Sequence, residues 1–133
     1  MNLRNLFRVS GVLFLIFGLV WLLAPKAMPA SYGLEIDSYA AYLFQQLGAI
    51  NIATGVLCFL VSGMANSPAR QAVVTFFVVE QVLSGIVSLI AVLGGVLDAA
   101  GWISVALNLA FALAFGYFRF IRPEEVMTPE LQS

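Results

Sequence analysis

Long apolar runs alternate with short polar breaks along the chain. Val9 to Ala24 is 16 residues without a charge, bounded by Arg8 and closed by Pro25. Ser38 to Ala69 is 32 residues without a charge. From Gln71 to Leu97 the single charge is Glu80, and from Ala99 to Phe118 there is none before Arg119 and Arg122. A helix needs about 20 apolar residues to cross a hydrocarbon core of about 30 Å. The pattern therefore predicts membrane-crossing helices near 4–24, 38–63, 70–95 and 100–121. The first run is a little short, and snorkelling of Arg4 and Arg8 lengthens it. Trp21 anchors its far end, and Pro25 stops the helix. A signal peptide is the rival reading of this run. Met28 at the −3 position of a cut after Ala30, and Pro25 beside a cut after Ala27, both favour a retained helix.

Composition narrows the class. Of 133 residues, 62% are hydrophobic and 10% charged, where a soluble domain carries about 25% charged residues. The sequence cannot coat a water-facing surface of its size, so a soluble enzyme and a disordered chain are both excluded. One domain, residues 1–122, takes the four helices, and residues 123–133 form a polar tail. Net charge is −1, which gives a nucleic-acid partner no support. The chain has no histidine and one cysteine, Cys58. Imidazole ligation of haem or metal, histidine acid–base catalysis and a dithiol relay are thereby removed. No cofactor and no metal are expected, and Cys58 reads as a packing residue.

Basic residues set the expected orientation. Arg4, Arg8, Arg70, Arg119 and Arg122 fall on one side and only Lys26 on the other. Both termini are then cytoplasmic. The connections are short, which makes successive helices antiparallel neighbours. The expectation is an all-α, up-down-up-down integral membrane four-helix bundle. Its outer rim would gather Trp21, Tyr32, Tyr39, Tyr42 and Trp102 as an aromatic belt.

Inside a bilayer, helix contacts are read from small and polar residues. In the 38–63 segment, Gly48, Asn51, Gly55, Cys58 and Ser62 recur at heptad spacing, the seam of a left-handed packing. Gln45, Gln46, Ala49 and Ala53 form a second stripe, which suggests two neighbours for this helix. Gly11 and Gly18 stand one heptad apart in the first segment. Glu80, Gln81, Ser84, Gly85 and Ser88 share one face of the 70–95 segment, and Gly101, Ser104, Asn108 and Ala112 one face of the last. By depth, Glu80, Asn51 and Asn108 lie at one level. We expect a midplane polar cluster of these three, with Gln46, Gln81, Ser84 and Ser104 near it.

A carboxyl at mid-bilayer costs at least about 2.5–3.5 kcal/mol on insertion scales. Arg8 and Arg119 lie nearer the surface, so pairing with Glu80 is not expected. A protonated Glu80 would instead donate to Asn51 or Asn108. Such a cluster either fixes helix register or serves a proton-linked or ligand-binding site.

Gly18-Leu-Val-Trp-Leu-Leu-Ala-Pro25, Tyr32-Gly33-Leu34, Gln46-Leu-Gly48-Ala-Ile-Asn-Ile-Ala-Thr-Gly55 and Gly101-Trp102 through Asn108 to Gly116-Tyr117-Phe118 together resemble small four-helix bacterial membrane proteins of the DoxX-like kind. The resemblance covers most of residues 8–121. It implies a four-helix fold in the bacterial inner (cytoplasmic) membrane, and some relatives are linked to respiratory or redox assemblies. Two functions are expected from the sequence. One is a non-catalytic membrane protein acting as a homo-oligomer or with a membrane-protein partner in the lipid bilayer. The other is binding or transport of a lipid-like molecule, a quinone or a proton in a crevice beside Glu80. A lone acid without a base partner or nucleophile argues against an enzyme.

Overall fold

The computed structural model describes residues 2–123. The described residues form helices and loops with no strand: α1 (Leu3–Leu23), a short α2 (Ala27–Ser31), α3 (Ser38–Ser62), α4 (Pro68–Leu93) and α5 (Gly101–Gly116), the last continuing as a π-helical turn over Tyr117–Ile121. Four spans of 21, 25, 26 and 21 residues are long and apolar enough to cross a membrane, which marks a multi-pass membrane protein. Of the polar tail expected at 123–133, all but Pro123 lies outside the described residues.

Local chemistry sets the helix ends. The Asn2 side chain caps α1 by accepting from the Asn5 amide at 2.9 Å. Asp37 caps α3 through the Ala40 amide at 2.8 Å. Ser67 caps α4, and Pro68 fills the first helical position, where a missing N–H costs nothing. Gly95, at φ 71°, turns the chain out of α4 in a conformation that an L side chain rarely adopts. The loop after Pro25 contains the single helical turn α2.

The helices associate as two antiparallel pairs, α1 with α3 and α4 with α5. In the first pair, glycines let backbones meet. A Cβ on Gly48 would lie 2.7 Å from the Leu22 nitrogen and 2.8 Å from the Gly18 carbonyl oxygen. A Cβ on Gly55 would lie 3.0 Å from the Gly11 carbonyl oxygen. The heptad stripe of α3 thus faces α1, with Gly48, Gly55, Cys58 and Ser62 buried. The second stripe finds no neighbour of comparable extent, and Gln46, Ala49 and Ala53 are exposed. In the second pair Gly85 comes close to Asn108.

The two pairs meet near the start of α1. Phe7, Phe77 and Phe115 are fully buried there. Phe77 and Phe115 stack at 5.0 Å and 13°, and Phe7 tilts against both, at 5.9 Å from Phe77 and 5.4 Å from Phe115. Leu3, Leu6, Cys58, Val61 and Val74 complete this core. Elsewhere α1 and α5 touch only briefly. The pairs pack together at one end, and a cleft lies between them over the rest.

Candidate functional site

The cleft has a volume of about 240 Å³. From α1, Ser10, Leu13, Phe14, Phe17 and Trp21 line it, a spacing of three, one, three and four residues that keeps them on one helix face. Opposite, α5 contributes Ser104, Leu107, Asn108 and Phe111, again one face. Asn51 enters from α3 and Gln81 from α4. Met28 and Tyr32, from α2 and its C-cap, close the end away from the phenylalanine core. The Tyr32 hydroxyl and the Ser104 hydroxyl are 2.8 Å apart in a hydrogen bond, which ties the loop after α1 to α5 across the cleft. At the other end Phe14 and Phe111 abut the buried phenylalanines, 5.8 Å from Phe77 and 6.5 Å from Phe115.

The polar residues singled out from the sequence divide into two groups. Asn51, Gln81, Ser104 and Asn108 line the cleft, whereas Glu80, Ser84 and Gln46 do not. The carboxylate of Glu80 accepts from Gln81 Nε2 at 2.7 Å and from the Ser84 hydroxyl at 3.0 Å, both on its own helix. The expected bonds from Glu80 to Asn51 and Asn108 are thus replaced by neighbours on α4. Ser84 lies one turn along the same face and Gln81 is next in sequence, so neither bond depends on interhelical geometry. Asn51 Nδ2 donates to the Leu47 carbonyl of its own helix at 2.8 Å. Asn108 Nδ2 makes a long contact, 3.5 Å, with the Ser88 hydroxyl. Gln46 is exposed on the outer face of α3. Depth reasoning places residues at a level but leaves their azimuth open, and azimuth separates these two groups.

Arg119 Nε donates to Thr75 Oγ1 at 2.8 Å. The π-helical turn that carries Arg119 ends where the Arg122 amide reaches back to the Tyr117 carbonyl at 2.9 Å, five residues earlier. Among the described residues, no three His, Cys, Asp or Glu side chains come together in a way that could hold a metal ion.

Ser10, Trp21 and Tyr32 line the cleft with polar atoms but do not stand out in the sequence as site residues. Apolar surroundings hide Ser10, and Trp21 reads as a membrane-interface anchor alone. Ser10 and Trp21 each carry a buried hydrogen-bonding atom with no partner, Ser10 Oγ and Trp21 Nε1. The indole leans edge-on against Phe44 at 5.7 Å and 87°. The spacing of Ser10 with Phe14, Phe17 and Trp21 is the signal that marks them. Tyr32 has none, because its partner is 72 residues away.

A buried hydroxyl left unpaired costs about 1–3 kcal/mol. Ser10 is 1% exposed, and alanine removes the oxygen while leaving a very small void. Ser10→Ala is therefore expected to stabilise the purified protein by about 1 kcal/mol, seen as a raised melting temperature. A lowered one would mean that the hydroxyl has a partner.

Comparison of the chain with protein-family models, with curated proteins and with solved structures finds no match.

Proposed function

We propose that this protein is a non-catalytic binding protein of a bacterial cytoplasmic membrane, which receives a membrane-dissolved molecule in the cleft between its two helix pairs. The observation that carries this reading is the cleft itself. It combines apolar walls with convergent hydrogen-bonding side chains, the usual make-up of a small-molecule site, and it is bounded at one end by a tethered helical turn. The membrane assignment, with both termini cytoplasmic and the helices alternating in direction, follows the asymmetry of basic residues. The DoxX-like resemblance of the sequence supports the same location and fold. Glu80 acts in this reading through Gln81, which it holds by a hydrogen bond at the cleft wall.

A second reading, assembly with copies of itself or with another membrane protein, is favoured by one feature. Gln46 presents a carboxamide on the exposed face of α3 beside Ala49 and Ala53, and an amide in hydrocarbon gains from a partner helix. The two readings are compatible, since that face points away from the cleft.

The test of the binding reading is to fill the cleft. Leu13→Trp adds an indole to its α1 wall. Protein purified in a mild detergent is expected to carry a small molecule detectable by native mass spectrometry, and the variant is expected to lose it while keeping its helical circular dichroism. Equal occupancy in both proteins, or none in either, would remove the proposal.

A further inference from the structure

Resting on the binding reading above, we infer that the cleft selects a neutral, flat molecule of single-ring size that carries a carbonyl or hydroxyl oxygen, held through the carboxamides of Asn51 and Asn108.

Size comes first. A closed apolar cavity of about 150 Å³ admits benzene. The cleft's volume of about 240 Å³ therefore suits one ring with a few substituents. Shape comes next. Phe14 and Phe17 from α1 and Phe111 from α5 line the cleft from its two sides, and aromatic faces and edges receive a planar ring in offset or edge-on geometry.

Charge is decided by what is missing from the walls. No Asp, Glu, Lys or Arg is among the lining residues. Glu80, next to the lining Gln81, is bonded to Gln81 and Ser84 on α4, and Arg119 is bonded to Thr75. An ionised guest would lose its hydration with no counter-charge to replace it. A neutral guest avoids that loss.

Hydrogen bonding fixes the polar part. A carboxamide has two N–H donors and an acceptor oxygen. Asn51 directs one bond to Leu47 and Asn108 one long contact to Ser88. Each amide thus keeps a donor and its oxygen for a guest, and both side chains are only half-buried, so a guest in the cleft can reach them. Ser10 and Trp21 sit toward opposite ends, about 16 Å apart along α1. A single ring lying between Phe14 and Phe17 is centred on the amides rather than on either end.

The test uses the full chain in lipid nanodiscs and three fluorinated probes of one size: 4-fluoroacetophenone, 4-fluorotoluene and 4-fluorobenzoate. Binding is read by ¹⁹F NMR titration, with protein-free nanodiscs correcting for partition into lipid. Saturable binding of the ketone is expected, with benzoate at least about tenfold weaker. In Asn51→Leu with Asn108→Leu, ketone affinity is expected to fall about tenfold, while toluene affinity stays within about threefold. Should the double variant fail to fold, Asn108→Leu alone carries the comparison with a smaller loss.

Benzoate binding as tightly as the ketone, or equal losses for ketone and toluene, would overturn the assignment of ligand class. Absence of saturable binding for all three would overturn it too. It would leave the binding reading standing if the wild-type chain still retains a molecule that Leu13→Trp loses.

Discussion

Replacing Gly48 with leucine is expected to lower the stability of the protein by about 3 kcal/mol, or about 10 °C in melting temperature. The cause is contact between backbones. A Cβ at Gly48 would meet the Leu22 nitrogen at 2.7 Å, the Gly18 carbonyl oxygen at 2.8 Å and the Trp21 carbonyl carbon at 3.1 Å. A flexible side chain could swing aside, but main-chain atoms of α1 cannot move without the helix moving. Overpacking commonly costs about 1–3 kcal/mol, and a backbone obstacle puts this site at the upper end. In lipid the loss is of packing contacts, because helices associate there through close approach rather than water exclusion. Gly18→Leu should behave alike, since its Cβ would lie 2.8 Å from the Gly48 carbonyl oxygen. Gly116 is the control. Nothing lies within 4 Å of a Cβ there, and Gly116→Ala should stabilise by up to about 1 kcal/mol through helix propensity. Thermal melts of the three variants in one detergent make the comparison. Equal melting of the Gly48 and Gly116 variants would mean that α1 and α3 do not meet as described.

That interface is legible in the sequence because small residues at heptad spacing within an apolar helix mark a face on which another helix can approach closely. Gly11 and Gly18 recur on one segment, Gly48 and Gly55 on the other, and the structure sets Gly11 against Gly55 and Gly18 against Gly48. The four long helices are legible for a plainer reason: uncharged runs in a chain with so few charges leave little choice of boundary. The expected segment 70–95 runs two residues past the observed end at Leu93, because Gly94 and Gly95 form the turn rather than the helix. The site is harder to read. Asn51, Asn108, Gln81 and Ser104 stand out as polar residues and do share one cleft. Glu80 stands out as the single acid of the 71–97 run, yet its bonds close within α4. A side chain one turn along the same helix is a neighbour by the helix repeat alone, whereas a partner on another helix must also match in rotation. Sequence spacing fixes the first condition and says nothing of the second. The phenylalanine core shows the same limit, since Phe76 and Phe77 look alike in the sequence. One is 54% exposed and the other fully buried.

The separation of the molecule into two helix pairs gives those two phenylalanines different weights. Phe77 joins the pairs: it meets Phe7 and Phe14 of α1 at 5.9 and 5.8 Å, and within its own pair it stacks on Phe115 of α5 at 5.0 Å. Phe77→Ala would leave a void where α1, α4 and α5 converge. Phe→Ala changes in packed cores cost about 3–5 kcal/mol, and the lower end, about 3 kcal/mol, applies where lipid rather than water surrounds the fold. Phe76→Ala, which removes one exposed ring and its edge contact with Phe77 at 5.4 Å, should cost no more than about 1 kcal/mol. The geometry predicts a second consequence that a general loss of stability would not produce. The α1–α3 glycine contacts do not involve Phe77, and α4 and α5 still meet where Gly85 approaches Asn108, so each pair should persist while the distance between pairs becomes less defined. Spin labels on cysteines at Leu23 and Leu93, both exposed and on different pairs, in a Cys58→Ala background, would report this. The expected result is a narrow distance distribution with Phe77 present and a broad one with alanine, together with faster exchange of any molecule held in the cleft, whose inner end rests on Phe14 and Phe111 against this core. An unchanged distribution would mean that the pairs are held together by something other than the phenylalanine junction.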